Sequence, residues 1–263
     1  MDARPIGVFD SGIGGLTVLK ELLSQFPNEN FIYLGDTARL PYGSKSAETI
    51  KKYSTQNLDF LKDHNVKAFI IACNSASTQM QEDHYQSIPL YNVIGPGAEE
   101  AVRLSAVQRI GVIGTRATVL SKAYDSKIKL LSPQAEIYSQ ACPLFVPLAE
   151  EGWIDDPITN LIVYRYLQSL LQHDIDTLVL GCTHYPILKN SIARVTGSEI
   201  QLLDSGEAIA RKLQEDFKIL RITPSEKQTQ VRICMTDSSK HFISLAAKIL
   251  LPFQAHQFEV VNL

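Results

Sequence analysis

Two short apolar segments of this chain end in the same way, and this repeat limits the folds open to it. The segment FIIACNS spans 69–75 and LVLGCTH spans 178–184, so each run places a cysteine, Cys73 or Cys182, before small polar side chains. The cysteines lie 109 positions apart, and His64 and His173 upstream have the same separation. A duplicated half-chain predicts two similar lobes, each with one thiol at a strand end.

Further matches extend the repeat over both halves of the chain. Three short motifs recur in the same order: IGV at 6–8 and 110–112, TVL at 17–19 and 118–120, and IY at 32–33 and 137–138. Gly97 and Ala101 recur as Gly206 and Ala210, again 109 positions apart. Because the order is kept while the separation drifts slowly, duplication explains these matches better than chance.

Short β-branched runs alternate with longer amphipathic stretches. The predicted strands are 6–9, 31–34, 68–72, 91–94, 110–113, 136–139, 177–180, 200–203, 230–235 and 257–261. The predicted helices are 16–25, 47–63, 158–172, 207–220 and 238–250. This alternation predicts an α/β fold with two pseudo-symmetric parallel-sheet domains.

The repeat also predicts the domain division. The first copy ends near Pro96 and the second near Asp204, and about fifty residues follow the second copy. We expect this tail to pack on the first copy, which gives a discontinuous domain of 1–96 with 209–263 and a continuous domain of 97–208. The polar, proline-containing segment 223–228 is predicted to be a linker.

Charge and cysteine spacing narrow the class of partner. The net charge is −3 and no run of Lys or Arg is present, which favours a small-molecule partner over nucleic acid. No apolar run has membrane-spanning length, and the first residues lack the apolar core of a secretory signal. The four cysteines are widely spaced, as in a protein of the reducing cytoplasm. The sequence leaves monomer and homodimer both open.

Polar side chains follow several predicted strands at the edge where parallel sheets bind ligands. These are Asp10-Ser11-Gly12, Cys73-Asn74-Ser75, Thr115 and Cys182-Thr183-His184. Each cysteine precedes a predicted helix, whose N-terminal amides are expected to lower the pKa of the thiol. The neutral donors among these residues suit a carboxylate, so the substrate is expected to be a small anion.

Other readings of these residues stay open at this point. Cys142 and Cys234 are interpreted as buried apolar residues, and His64 and His173 as structural residues at the strand entries. The glycines at 12–15 could form a phosphate-binding turn, although no Walker lysine and no GxGxxG motif accompanies them. A Cys/His metal site is not supported, since no close ligand pair occurs. The spacing of Glu150 suggests a solvated face.

At these residues the chain resembles the glutamate racemase family, cofactor-independent enzymes of the aspartate/glutamate racemase superfamily. The matching segments are DSGIGGLTV at 10–18, YLGDTAR at 33–39, PYG at 41–43, CNSAS at 73–77, CPLFVPL at 142–148 and LGCTHYP at 180–186. They extend from residue 6 to about residue 206. One departure is Ser75, where the family usually has threonine; the hydroxyl is kept.

The resemblance implies a reaction and a set of site residues. The family interconverts L- and D-glutamate by two-base proton transfer between two domains, needs no cofactor or metal, and supplies D-glutamate for peptidoglycan. By this resemblance the catalytic residues are Cys73, Cys182, Asp10 and His184, with Glu150 as an auxiliary acid near the second thiol. The implied substrate-binding residues are Asp10, Ser11, Tyr42, Gly43, Asn74, Ser75, Thr183 and His184.

Three alternatives remain at this stage. A sister racemase for aspartate or another small acid would share the thiol pair and differ in pocket length. A non-catalytic binding protein would use the same cleft and leave both thiols unreactive. A nucleotide-dependent enzyme would use the glycine turn.

Overall fold

The computed structural model describes residues 2–219, 229–238 and 240–263. The strands are β1 (Ile6–Asp10), β2 (Phe31–Gly35), β3 (Ala68–Ile71), β4 (His84–Tyr85), β5 (Ile88–Asn92), β6 (Arg109–Gly114), β7 (Glu136–Ala141), β8 (Thr177–Gly181), β9 (Gln201–Asp204), β10 (Val231–Met235) and β11 (Gln257–Val260). The helices are α1 (Leu16–Gln25), α2 (Ala47–Asp63), α3 (Asn74–Ser77), α4 (Ile94–Leu104), α5 (Arg116–Leu120), α6 (Ala123–Leu131), α7 (Phe145–Glu150), α8 (Pro157–Leu167), α9 (Lys189–Thr196), α10 (Ser205–Ile219) and α11 (Lys240–Leu250).

The strands form two sheets with the same central order. The larger sheet runs β11-β10-β2-β1-β3-β5-β4 and the smaller sheet runs β7-β6-β8-β9. The neighbouring strands are parallel, apart from the short antiparallel pair of β4 and β5. The order β2-β1-β3-β5 is therefore repeated as β7-β6-β8-β9, and the predicted class of two pseudo-symmetric α/β domains is confirmed. We call the part built on the larger sheet the first lobe and the part built on the smaller sheet the second lobe.

Helices cover both faces of the larger sheet, which explains why its central strands are apolar throughout. Ile6 and Val8 of β1 pack in one cluster with α1 and α10, whereas Phe9 packs in a second cluster with α2. Side chains alternate between the faces of a strand, so a strand buried on both faces needs apolar residues at successive positions. Every residue of β1 is buried accordingly.

Local signals account for the long helices. In α1, Leu16, Leu19 and Leu23 recur at helical spacing and are buried. The helix α2 begins after Ser46, whose side chain accepts a hydrogen bond from the amide of Thr49, and Asn65 with a φ of 55° lies just beyond its end. Both helices have the predicted bounds.

The prediction around residue 91 is wrong. The strand is Ile88–Asn92 rather than 91–94, and Ile94 already begins a helix that extends to Leu104. The predicted helix 158–172 ends at Leu167 and is followed by a 3-10 turn at Leu170–His173. The helix predicted after Cys73 is the short α3, and Cys182 is followed by a 3-10 turn at Tyr185–Leu188 before α9 begins. The short helices α5, α6 and α7 were not predicted. The predicted linker at 223–228 lies outside the described residues.

The C-terminal segment contributes to the larger sheet. The strand β10 pairs in parallel with β2, and β11 pairs with the outer side of β10. The helix α11 packs near α1, where Leu245 and Ile249 contact the first apolar cluster. Within the described ranges, none of the helices combines the length and apolar character needed to span a bilayer.

Candidate active site

One cavity between the lobes is lined by both cysteine motifs. The strand β3 ends two residues before Cys73 and β8 ends immediately before Cys182, and the equivalent positions of the two strands place both thiols at the carboxyl edges of the sheets. The lining residues are Ser11, Leu40, Pro41, Tyr42, Gly43, Cys73, Asn74, Ser75, Thr115, Val146, Cys182, Thr183 and His184. Each lobe therefore presents one thiol to a common space.

The cavity is too small to hold an amino acid. Its volume is about 20 Å³, which is space for about one water molecule. Both cysteines are buried, with 5% of each residue exposed. An amino acid can enter only if the lobes separate, and closure around it would exclude water from the thiols.

The first thiol lies against Ser11 and the start of α3. The Cys73 Sγ is 3.7 Å from the Ser11 Oγ, and the Ala76 amide also donates to it. Burial raises the pKa of the Cys73 thiol, and the charge of Asp10 raises it further, while these hydrogen bonds act in the opposite direction. The prediction that helix amides lower the pKa of Cys73 is therefore wrong for the closed structure, because the loss of water outweighs the amides.

Asp10 is fully buried at the end of β1, and the described residues that line the cavity do not include it. Its Oδ2 accepts hydrogen bonds from the amides of Gly12 at 3.1 Å and Gly15 at 3.0 Å. The Thr183 hydroxyl of the second lobe donates to its Oδ1 at 3.3 Å. Asp10 thus links the glycine turn of the first lobe to the second cysteine motif through hydrogen bonds.

The second thiol is part of a chain of three side chains. The Cys182 Sγ lies 4.0 Å from the His184 Nδ1, and the His184 Nε2 lies 3.0 Å from the Glu150 Oε1. Burial lowers the pKa of His184, but hydrogen bonds to Cys182 and Glu150 and the charges of both outweigh it, so this pKa rises to about 10. The raised pKa favours the imidazolium form of this ring, which lies where it can stabilise a thiolate. The solvated-face interpretation of Glu150 is wrong, since its carboxylate contacts a buried ring.

Tyr42 and Gly43 line the cavity, but neither presents a free side-chain hydrogen-bond donor to it. The Tyr42 hydroxyl donates to Asp36 and accepts from the Asn57 Nδ2 at 3.0 Å, so this hydroxyl is already satisfied in the first lobe. At Gly43 an added Cβ would lie 2.5 Å from the Cβ of Thr115. Glycine at this position is therefore what lets the two lobes approach.

The residues after Cys73 bond across to the second lobe. The Ser75 Oγ is 2.8 Å from the Thr115 Oγ1, which itself lies 3.1 Å from the Thr118 Oγ1. Asn74 accepts a hydrogen bond from Tyr124. Thr115 lies at the ligand-binding edge, as predicted from its place after a strand. Thr118 and Tyr124 were missed, because nothing in their local sequence indicates a site.

The structure separates the remaining candidates from the cavity. Cys142 and Cys234 are fully buried in apolar clusters. The His64 Nδ1 lies 2.8 Å from the Phe60 carbonyl oxygen, and His173 stacks on Tyr138. In the part of the chain that the structure describes, no group of three or more His, Cys, Asp or Glu side chains is arranged to hold a metal ion.

Comparisons with known proteins agree over nearly the whole chain. The profile of the Asp/Glu/hydantoin racemase family matches residues 6–213. The chain is 45% identical to the glutamate racemase of Geobacter metallireducens over 256 residues, covering 95% of this chain and 94% of that protein. Its fold matches the glutamate racemase of Francisella tularensis, solved with D-glutamate, at a TM-score of 0.92 and 39% identity, covering 100% of this chain and 98% of that one. For the glutamate racemase of Bacillus anthracis the TM-score is 0.94 at 34% identity, with 100% and 99% covered.

Proposed function

We propose that this chain, which belongs to the Asp/Glu/hydantoin racemase family, is a racemase of glutamate. In the proposed reaction it interconverts L- and D-glutamate without a cofactor. The observation that carries the proposal is the narrow cavity lined by Cys73 of one lobe and by Cys182 of the other. The relatives named above are glutamate racemases, which favours glutamate over aspartate as the substrate.

In the proposed reaction one thiolate removes the Cα proton and the opposite thiol delivers a proton to the other face. Cys73 takes the proton of D-glutamate and Cys182 that of L-glutamate. The carbanion between these steps lies beside a carboxylate, so its charge needs hydrogen-bond donors already in place. Asn74, Ser75 and Thr183 at the cavity wall are suited to this.

The partners of each thiol support the assigned roles. The imidazolium of His184, held by Glu150, stabilises the thiolate of Cys182 and so assists proton removal there. Asp10 and Ser11 lie on the side of Cys73. Tyr42 and Gly43 are proposed to bind the substrate through their main chain, since the Tyr42 hydroxyl already has two partners.

Circular dichroism of the purified protein with L- or D-glutamate, and no added cofactor, tests the proposal; L-aspartate is the specificity control. Cys73→Ala and Cys182→Ala should each abolish racemisation, while Cys234→Ala removes a buried thiol that does not line the cavity and should keep it. Normal turnover by either of the first two variants would refute the two-base assignment. A protein that binds glutamate but never racemises it would be a binding protein instead.

A division of labour between the thiols is testable by exchange in D₂O. Cys73→Ser should still exchange the Cα proton of L-glutamate, and Cys182→Ser that of D-glutamate, because each keeps the opposite thiol. Equal exchange of both enantiomers by both variants would contradict one base per face.

Three further predictions belong to this proposal. The domain division of 1–96 with 209–263 and 97–208 is supported by the pairing of β10 with β2, and limited proteolysis tests it.

The cytoplasmic location and the supply of D-glutamate for peptidoglycan are proposed from the family. Growth of a D-glutamate auxotroph that carries this chain tests the supply of D-glutamate. Light scattering decides between monomer and homodimer.

A further inference from the structure

We infer that Tyr124 is a positioning residue that fixes the orientation of the Asn74 amide for the carboxylate of the substrate, an inference that rests on the proposed function. Tyr124 belongs to α6 of the second lobe, and Asn74 follows Cys73 in the first. The Tyr124 hydroxyl donates to the Asn74 Oδ1 at 2.7 Å. Both residues are buried, with 2% of each exposed.

Tyr124 and Ser205 contact the Asn74 amide. Its Oδ1 accepts from Tyr124, and its Nδ2 donates to the Ser205 Oγ at 3.2 Å. The Ser205 Oγ also lies 3.3 Å from the Asn74 Oδ1 and 3.4 Å from the Leu180 carbonyl oxygen, so its hydroxyl can donate to either oxygen. The bond from Tyr124 is the shortest that the amide makes, so it determines which end of the amide carries oxygen. One Nδ2 hydrogen is used by Ser205, and the second is left for the cavity that Asn74 lines.

The chemical state of Tyr124 suits this role. Burial raises the pKa of its hydroxyl, a nearby Cys182 charge raises it further, and a bond to Ser205 lowers it. The net direction is upward, so the hydroxyl keeps its proton at every pH at which the thiols work. Tyr124 is therefore a constant donor. A flipped amide would turn its oxygen to the cavity and repel a carboxylate.

Two glycines leave room for the Tyr124 ring. An added Cβ at Gly97 of α4 would lie 3.0 Å from its Cε1 and 3.1 Å from its hydroxyl oxygen, and one at Gly181 would lie 3.2 Å from its Cε2. Contacts this short displace the ring by a few tenths of an ångström. The position of the hydroxyl thus depends on residues that never touch the cavity.

Tyr124→Phe tests the inference. We expect the KM for both enantiomers to rise and kcat/KM to fall about tenfold, since the amide contacts the carboxylate in the bound substrate and in the carbanion. In ¹⁵N spectra the Asn74 side-chain amide, identified by its loss in Asn74→Ser, should change from one sharp pair of resonances to an exchanging pair. A merely structural role would leave this pair sharp.

Two further variants keep the test decisive. Gly97→Ala improves the helix propensity of α4 yet crowds Tyr124, so we expect a raised KM without a lowered melting temperature. Tyr185→Phe is the matched control, because it removes a buried hydroxyl that donates to the Cys142 carbonyl at 2.8 Å; its KM should not change. If Tyr124→Phe does not fold, Gly97→Ala decides.

An unchanged KM in Tyr124→Phe or Gly97→Ala, or an equal rise in Tyr185→Phe, would overturn the inference. These outcomes differ from failure of the proposed function. In that case the wild-type protein itself would not racemise glutamate, and the Asn74 amide spectrum would still report on the orientation set by Tyr124.

Discussion

Glu150→Gln separates the charge of the carboxylate from its hydrogen bond to His184. Glutamine has the same length and an oxygen that can still accept from the His184 Nε2, which lies 3.0 Å from Glu150 in the wild type. The variant therefore removes only the negative charge. Because that charge helps to raise the pKa of His184 to about 10, the variant should lower this pKa.

The size of the shift follows from hydrogen-bond energies. A bond to a charged group contributes about 1.5 kcal/mol more than a neutral one, which is about one pKa unit. The Glu150 side chain is 30% exposed, so solvent screening keeps the effect at this lower figure. We expect the pKa of His184 to fall from about 10 to about 9.

The stability of the protein should change with a defined sign. The pKa of His184 is higher in the fold than its ordinary value of 6.5, so its contribution is complete below that value and disappears as the pH rises through about 10. Glu150→Gln should therefore reduce the free energy of unfolding by about 1.4 kcal/mol at about pH 6, where a free carboxyl group is ionised and the imidazole is charged. The difference between the two proteins should vanish once the imidazole is neutral in both.

NMR titration of His184, assigned by its absence in His184→Asn, measures the shift, and urea unfolding at several pH values measures the energy. Glu151→Gln is the control, since it removes the same charge from the adjacent exposed residue. An unchanged His184 pKa in Glu150→Gln, or an equal shift in Glu151→Gln, would refute the pairing of Glu150 with His184.

Two other variants test the packing. Gly43→Ala should lower kcat about 10²-fold, because its Cβ would lie 2.5 Å from that of Thr115. Gly95→Ala is the control and should keep the normal kcat, because the nearest contact of its Cβ would be at 3.9 Å. A normal kcat in Gly43→Ala would contradict the idea that glycine at this position lets the lobes approach. Glu29→Gln should lower the free energy of unfolding, measured with urea, by about 3 kcal/mol, because it leaves Lys67 buried without its carboxylate partner. The double variant Glu29→Leu, Lys67→Met should recover most of this stability, because it leaves no buried charge. An equally large loss in the double variant would show that the unpaired charge is not the cause.

The strands and long helices were predictable because their signals are local. The buried runs before Cys73 and Cys182 and the spacing in α1 are visible in the sequence alone. The error near residue 91 has a local cause as well, since Gly95, Pro96 and Gly97 obscure the start of α4. The hairpin of β4 and β5 was missed because Gln86 and Ser87 adopt positive φ without the usual Gly or Asn.

The candidate site was predicted in part for the same reason. The cysteine motifs and their polar neighbours are continuous in sequence, and nearly all of them line the cavity. The contacts of Thr118 and Tyr124 depend on how the lobes meet, which no local pattern encodes. The raised pKa of Cys73 likewise arises from closure of the cavity, so a rule based on helix amides alone gave the wrong direction.

The two thiols occupy matching places in a duplicated scaffold, yet their neighbours carry opposite charges. An imidazolium lies beside Cys182 and a carboxylate lies on the side of Cys73. In the proposed reaction the raised pKa of Cys73 favours its protonated form in the idle enzyme, which is the form that delivers a proton when L-glutamate is converted to D-glutamate. Each turnover from L to D leaves it in the opposite form, and it must reset before the next molecule. The two substrates are mirror images of each other. In the proposed reaction the enzyme without substrate nevertheless favours one protonation form over the other.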